Sequence, residues 1–156
     1  MDGSPPPVVT ISGLPGSGTT TAARMLVGET GREYVNTGKI FREMAEEHGM
    51  SLIDFGKYAA RNPAVDQELD RRQMARAAKG GIVLEGRLAG HMVTREGLEA
   101  LTIWLEAPLD VRVARVAGRE QVSLEEATRL SREREDDERN RYLEIYGLDL
   151  YDTSIY

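Results

Sequence analysis

The chain has 156 residues, 40% apolar and 29% charged, which suits one globular domain with one core. It has no cysteine, which excludes disulfides and thiolate metal sites and fits a reducing compartment. A net charge of −6 leaves no overall basic footprint for nucleic acid, no apolar run is long enough to cross a bilayer, and the first residues lack the basic-then-apolar pattern of a secretory signal. Pro5–Pro7 predict a short extended lead-in to VVTIS (8–12), an apolar, β-branched run that predicts a buried strand. SGLPGSGTTT (12–21) then predicts a glycine-rich turn and a helix near 18–28. EYVNT is a candidate short second strand, and helical patterns follow at 38–48, 52–61 and 63–79, the last opening at Asn62–Pro63. GIVLEG (81–86) and LTIWLEA (101–107) are near-continuous apolar runs, as expected of strands covered on both faces. Pro108 opens a helix over 108–118. A longer one over 123–147 starts with the capping-box pair Ser123 and Glu126 and stops at Gly147. This alternation predicts an α/β fold with a parallel sheet. His48 and His91 have no metal-like spacing and read as surface or helix-end residues.

The turn after the first strand has the spacing of a phosphate-binding loop, with one departure. Residues 13–20 read G-L-P-G-S-G-T-T, where the usual loop is G-x-x-x-x-G-K-[ST]. Gly13, Gly16 and Gly18 allow successive backbone N–H groups to face one cavity, and the helix behind adds the positive end of its dipole. Leu14, Pro15, Ser17, Thr19 and Thr21 complete the expected nucleotide cradle, and Thr20 stands where a hydroxyl would ligate Mg²⁺. Thr19 occupies the lysine position and carries no charge. Some other cation must therefore balance the β- and γ-phosphates.

Taken with later segments, the chain resembles the cytidylate kinases of the nucleoside monophosphate kinase family, in particular the archaeal branch. GLPGSGTTT is similar to that branch's loop, where threonine commonly replaces the lysine. VNTGKIFREM (35–44) is similar to the family's acceptor segment, VLEGRLAG (83–90) to its Gly-Arg strand end, and REDDERNR (134–141) to the arginine-rich segment after the lid. The resemblance implies phosphoryl transfer from ATP to CMP, with dCMP often accepted, and a requirement for Mg²⁺. It also implies a three-layer fold around a five-stranded parallel sheet, with a helical monophosphate-binding arm at about 36–80 and a lid at about 117–124.

The resemblance makes Thr37, Arg42, Arg87 and Arg141 ligands of the acceptor nucleotide. Guanidinium suits that role because it is always protonated and matches phosphate geometry. Bacterial relatives place an arginine where Asp66 stands and an aspartate where Leu88 stands, so base contacts do not transfer simply. Asp66, Asp70 and Gln73 share a helical face, and Asp66 is the expected acceptor for the cytosine amino group. Glu85, at the end of a strand beside the loop, is expected by fold analogy to serve the magnesium site with Thr20 by holding magnesium-bound water. Arg112, Arg115 and Arg119 lie at i, i+3, i+7 and lead into the expected lid. Arg115, Arg119 and Arg134, with Arg132 as an alternate, are expected to bring the missing positive charge as that lid closes. The bland reading of REREDDER is a solvated face with a Glu135–Arg139 pair.

In the resembled family a segment like LDLYDTSIY runs on into one more strand and a helix. The expectation is therefore a C-terminally shortened domain whose 101–106 strand lies at a sheet edge. The expected partners are small molecules, without nucleic acid or membrane, for a monomeric cytoplasmic protein. Two other readings stay open at this stage: another small-molecule kinase such as an adenylate kinase, and a nucleotide-binding sensor that does not turn over.

Overall fold

The computed structural model describes residues 7–156, so of the expected lead-in only Pro7 lies within the described residues. In chain order the elements are β1 (Val8–Gly13), α1 (Thr19–Thr30), β2 (Glu33–Asn36), α2 (Thr37–Glu47), α3 (Leu52–Arg61) and α4 (Pro63–Ala77). They continue with β3 (Ile82–Glu85), α5 (Ala89–Arg95), β4 (Ala100–Leu105), α6 (Leu109–Glu120) and α7 (Leu124–Tyr146). The four strands pair in parallel in the order β2-β3-β1-β4. Parallel pairing needs a crossover between neighbours, so every strand ends on the same edge of the sheet.

β1 is buried along its whole length because both of its faces are covered. Val8 joins one core, with Val35, Ile40, Met44, Phe55, Leu69, Leu84 and Val93 from β2, β3 and helices α2 to α5. Val9 and Ile11 join the other, against Val83 and the fully buried Ala23 of α1. Small residues on that face let α1 lie close to the sheet, which fixes where its N-terminus points. Local chemistry sets the helix limits. Asn36 caps α2 by accepting Lys39 N–H at 3.1 Å, Ser123 caps α7 by accepting Glu126 N–H at 3.1 Å, and Gly147 ends α7 at φ 66°.

Two features depart from the expectations. The short helix α5 was not anticipated; at Gly90 an added Cβ would sit 2.4 Å from the Tyr156 ring, so the glycine is there for a close approach and not as a helix breaker. His91, on this helix, is buried rather than at the surface, with Nε2 3.0 Å from the Asp152 carbonyl. His48, by contrast, does cap the end of α2.

β4 lies at the sheet edge, as expected. Residues beyond α7 fold back towards it: Leu150 is fully buried, Thr102 Oγ1 donates to Ile155 O at 3.0 Å, and Tyr156 packs on Trp104. The stretch expected as a lid, 117–124, comprises the last turn of α6, a three-residue connection and the first residue of α7.

Candidate active site

Three strand ends meet on the common edge. β1 supplies the loop, β2 supplies Asn36 with Thr37 behind it, and β3 supplies Glu85 and, just beyond, Arg87. Register places Glu85 between Ile11 of β1 and Asn36 of β2. This is the position at which open α/β sheets bind ligands.

The loop is shaped by its glycines. Gly16 (φ 81°) and Gly18 (φ 93°) occupy left-handed backbone. A Cβ at Gly13 would lie 2.7 Å from Leu105 O, and one at Gly16 would lie 2.6 Å from Arg112 O. At Gly18 the nearest atom is Arg115 Nη1 at 3.8 Å, so the space above the start of α1 is open. Gly18 provides no side-chain cap to that helix, and the Ser17 hydroxyl is buried with no hydrogen-bond partner among the described residues. An uncapped helix start, an orphaned hydroxyl and an open cradle together fit a phosphate group.

Below the loop, Glu85 collects four side-chain donors. Oε1 accepts from Thr19 Oγ1 at 2.8 Å and Thr20 Oγ1 at 2.7 Å; Oε2 accepts from Tyr34 OH and from Asn36 Nδ2 at 2.9 Å. Burial pushes this carboxyl up, but the four donors outweigh burial and hold it below its ordinary value. Burial, then the bond to Glu85, pushes the Tyr34 phenol up to about 12. Glu85 is thus ionised and Tyr34 protonated at neutral pH. The Thr19 side chain is corrected by this arrangement: its hydroxyl turns inward to Glu85 and only its backbone can face the cradle. Thr20 sends its proton to Glu85, which leaves its oxygen lone pairs for a cation. That suits magnesium, which takes few protein ligands and keeps water and phosphate oxygens. Glu85 fits the role of orienting Thr20 better than that of a direct ligand, since each of its oxygens already accepts two bonds. Thr21 is exposed on α1.

The arginines separate into three groups. Arg115 reaches the loop, donating from Nη1 to Gly16 O at 2.9 Å. Arg87 also reaches it, donating to Gly13 O at 2.9 Å and pairing with Glu138 at 3.0 Å. Arg112 is buried and structural: it pairs with Glu135 of α7 and donates to Ala107 O at 3.1 Å, so the three arginines at i, i+3, i+7 do not act as one set. Because Arg112 takes Glu135, the Glu135–Arg139 pair is absent as well; Arg139 pairs with Asp149 at 3.0 Å. Arg119 and Arg134 both face Glu120 at 3.4 Å, exposed and away from the loop, and Arg132 is exposed on α7.

A cleft of about 610 Å³ opens between α2, α3, α4 and α7 and continues into a smaller cavity beside Arg87. Thr37, Asp66 and Arg141 line both cavities, and Arg87 lines the inner one. Arg42 lines neither; it is exposed on the outer face of α2. Asp70 is taken up by Tyr146, whose OH donates to it at 2.5 Å, and burial pushes its carboxyl up. Sequence reasoning missed Tyr34 and Asn36. The available signal was a polar residue ending a short strand, which only strand pairing could aim at Glu85.

The chain matches the cytidylate kinase-like family over residues 8–156. Among curated proteins it is 53% identical to the cytidylate kinase of Methanopyrus kandleri, over 96% of this chain and 81% of that protein. It is 52% identical to that of Pyrococcus horikoshii, over 96% and 76%, and 49% identical to that of Methanocaldococcus jannaschii, over 96% and 84%. Among solved structures it is similar in fold to a protein from Eubacterium ventriosum (TM-score 0.71, 16% identity, 96% of this chain and 83% of that one). It is also similar to shikimate kinase from Acinetobacter baumannii (TM-score 0.56, 15% identity, 91% and 80%).

Proposed function

The chain belongs to the cytidylate kinase-like family, and we propose that the reaction it catalyses is transfer of the γ-phosphoryl group of ATP to CMP, giving ADP and CDP. The observation that carries this reading is the meeting of two seats at one sheet edge. The loop with Ser17, Gly18 and Thr20 receives the triphosphate. The cleft lined by Thr37, Asp66, Arg87 and Arg141 receives the acceptor.

An acceptor phosphate oxygen attacks the γ-phosphorus while the bond from that phosphorus to its bridging oxygen breaks. ADP leaves with the electron pair. The attacking oxygen is already ionised, so no general base is required, and positioning with charge neutralisation carries the step. Arg87 and Arg141 hold the acceptor phosphate, and Arg115 sits over the loop at Gly16 and neutralises the triphosphate. Arg42 has an exposed side chain and joins them only if the arm closes. Arg119 and Arg134 reach the transferring group only if α6 and α7 shift. Thr20, with its proton held by Glu85, would ligate a magnesium ion; a bound ion supplies charge neutralisation on the phosphates. Asp66 accepts from the cytosine amino group.

The test is ADP release with ATP and magnesium across CMP, dCMP, UMP and AMP. CMP is expected to stimulate turnover by at least about a hundredfold over AMP. Equal turnover with all four, or ATP binding with no acceptor-dependent ADP, contradicts the reading.

A further inference from the structure

Gln73 is the member of its helical face that the proposed function leaves without a role, and its environment is unusual. It is 5% exposed, yet it lines the inner cavity with Asp66, Arg87, Leu88 and Tyr142. Its amide oxygen accepts from Thr37 Oγ1 at 2.9 Å. Its amide nitrogen makes no hydrogen bond among the described residues. That end of the side chain is accessible from the cavity it lines, with its amide protons available to donate.

Thr37 is itself fixed. Its hydroxyl lies 3.2 Å from Glu85 O, and a Cβ at Gly86 would approach it to 2.4 Å, so only glycine leaves it room. With the oxygen end of the amide held by Thr37, the NH₂ end faces the cavity. The other groups on that wall are committed elsewhere. Asp70 accepts a hydrogen bond from Tyr146 OH, while Arg71 and Arg72 pair with Glu68 and Glu47 outside the cleft. Asp66 alone remains as an open acceptor there, with no hydrogen bond among the described residues.

We propose that Gln73 is a base-reading residue, its amide NH₂ donating to N3 of cytosine, with Thr37 as the positioning residue that fixes the amide's orientation. The inference rests on the CMP reading of the cleft. Cytosine N3 is an acceptor and its 4-amino group a donor. Uracil reverses both, presenting N3–H and O4. A wall with a donor at Gln73 and an acceptor at Asp66 matches cytosine and sets N3–H of uracil against the amide NH₂ and its O4 against the Asp66 carboxylate. Discrimination then comes from unpaired or opposed polar groups, which reject a wrong base more strongly than shape does.

The experiment compares kcat/KM for CMP, UMP and 3-deaza-CMP, which lacks the N3 acceptor, on the wild-type chain, Gln73→Glu and Thr37→Val. On the wild type, 3-deaza-CMP is expected to lose at least tenfold against CMP. Gln73→Glu replaces the donor by an acceptor and is expected to lower the CMP-to-UMP ratio at least tenfold. Thr37→Val lets the amide turn over, so the same ratio falls. Equal use of CMP and 3-deaza-CMP by the wild type overturns the proposal without any variant having to fold. So does a well-folded Gln73→Glu chain with an unchanged ratio. Failure of the CMP reading looks different: the wild type then shows no preference for CMP over UMP or AMP at all.

Discussion

The two charged regions of this molecule are built on opposite principles. Around Glu85, one buried carboxylate takes four donors from two elements, α1 and β2, all from within the protein. Along the exposed side of α6 and α7, charges are satisfied by close neighbours. Arg129 sits between Glu126 and Glu133 on one helix, and Arg119 and Arg134 share Glu120 at 3.4 Å. The first arrangement is short-range and fixed; the second is wet and weak, because solvent screens each exposed pair. The difference assigns tasks. The Glu85 corner holds the loop's shape from within the protein, whereas the surface arginines are held only by exposed pairs.

The largest effect expected from breaking the fixed corner comes from Glu85→Ala, which leaves Thr19, Thr20, Tyr34 and Asn36 without their acceptor. Turnover with ATP and CMP is expected to fall by about a thousandfold, together with a lower melting temperature. Next, Arg115→Ala should lower kcat by about a hundredfold with little change in melting temperature, because its exposed guanidinium supports the loop and not the core.

Tyr34→Phe sharpens the electrostatic part. Glu85 is held below its ordinary value of 4.5, so its stabilising effect is complete above that pH and is lost as pH falls through the lower native value. Removing one donor raises the native value. The acid unfolding midpoint, followed by circular dichroism, should therefore move to higher pH. The smallest effect belongs to the surface ladder: Arg129→Ala should leave the midpoint of a denaturant titration essentially unchanged.

The parallel sheet and the loop were legible because each depends on local pattern. VVTIS and GIVLEG are apolar enough to be covered strands, and the glycine spacing at 13, 16 and 18 fixes a turn whatever surrounds it; LTIWLEA also forms a strand but an edge one, with Leu101 exposed rather than covered. Side-chain direction was less so. Arg112, Arg115 and Arg119 look equivalent on a helical face, yet Arg112 is buried against Glu135 and Arg115 lies on the loop, while Arg119 remains at the surface. What separates them is where α7 packs, which helical spacing does not encode. Thr19 is a similar case. Its position in the loop suggested a phosphate contact, but its hydroxyl follows the nearest strong acceptor, Glu85, which is 66 residues away in the chain.

Position 19 brings no cation to the loop, and the proposed substitute is Arg115 on α6, which already donates to Gly16 O. Calorimetric titration of ATP into Arg115→Ala, with Arg115→Lys alongside, tests that substitution directly. Binding is expected to weaken at least tenfold in the alanine chain and to recover in part with lysine. Wild-type affinity in the alanine chain would mean that the triphosphate's charge is balanced from somewhere else.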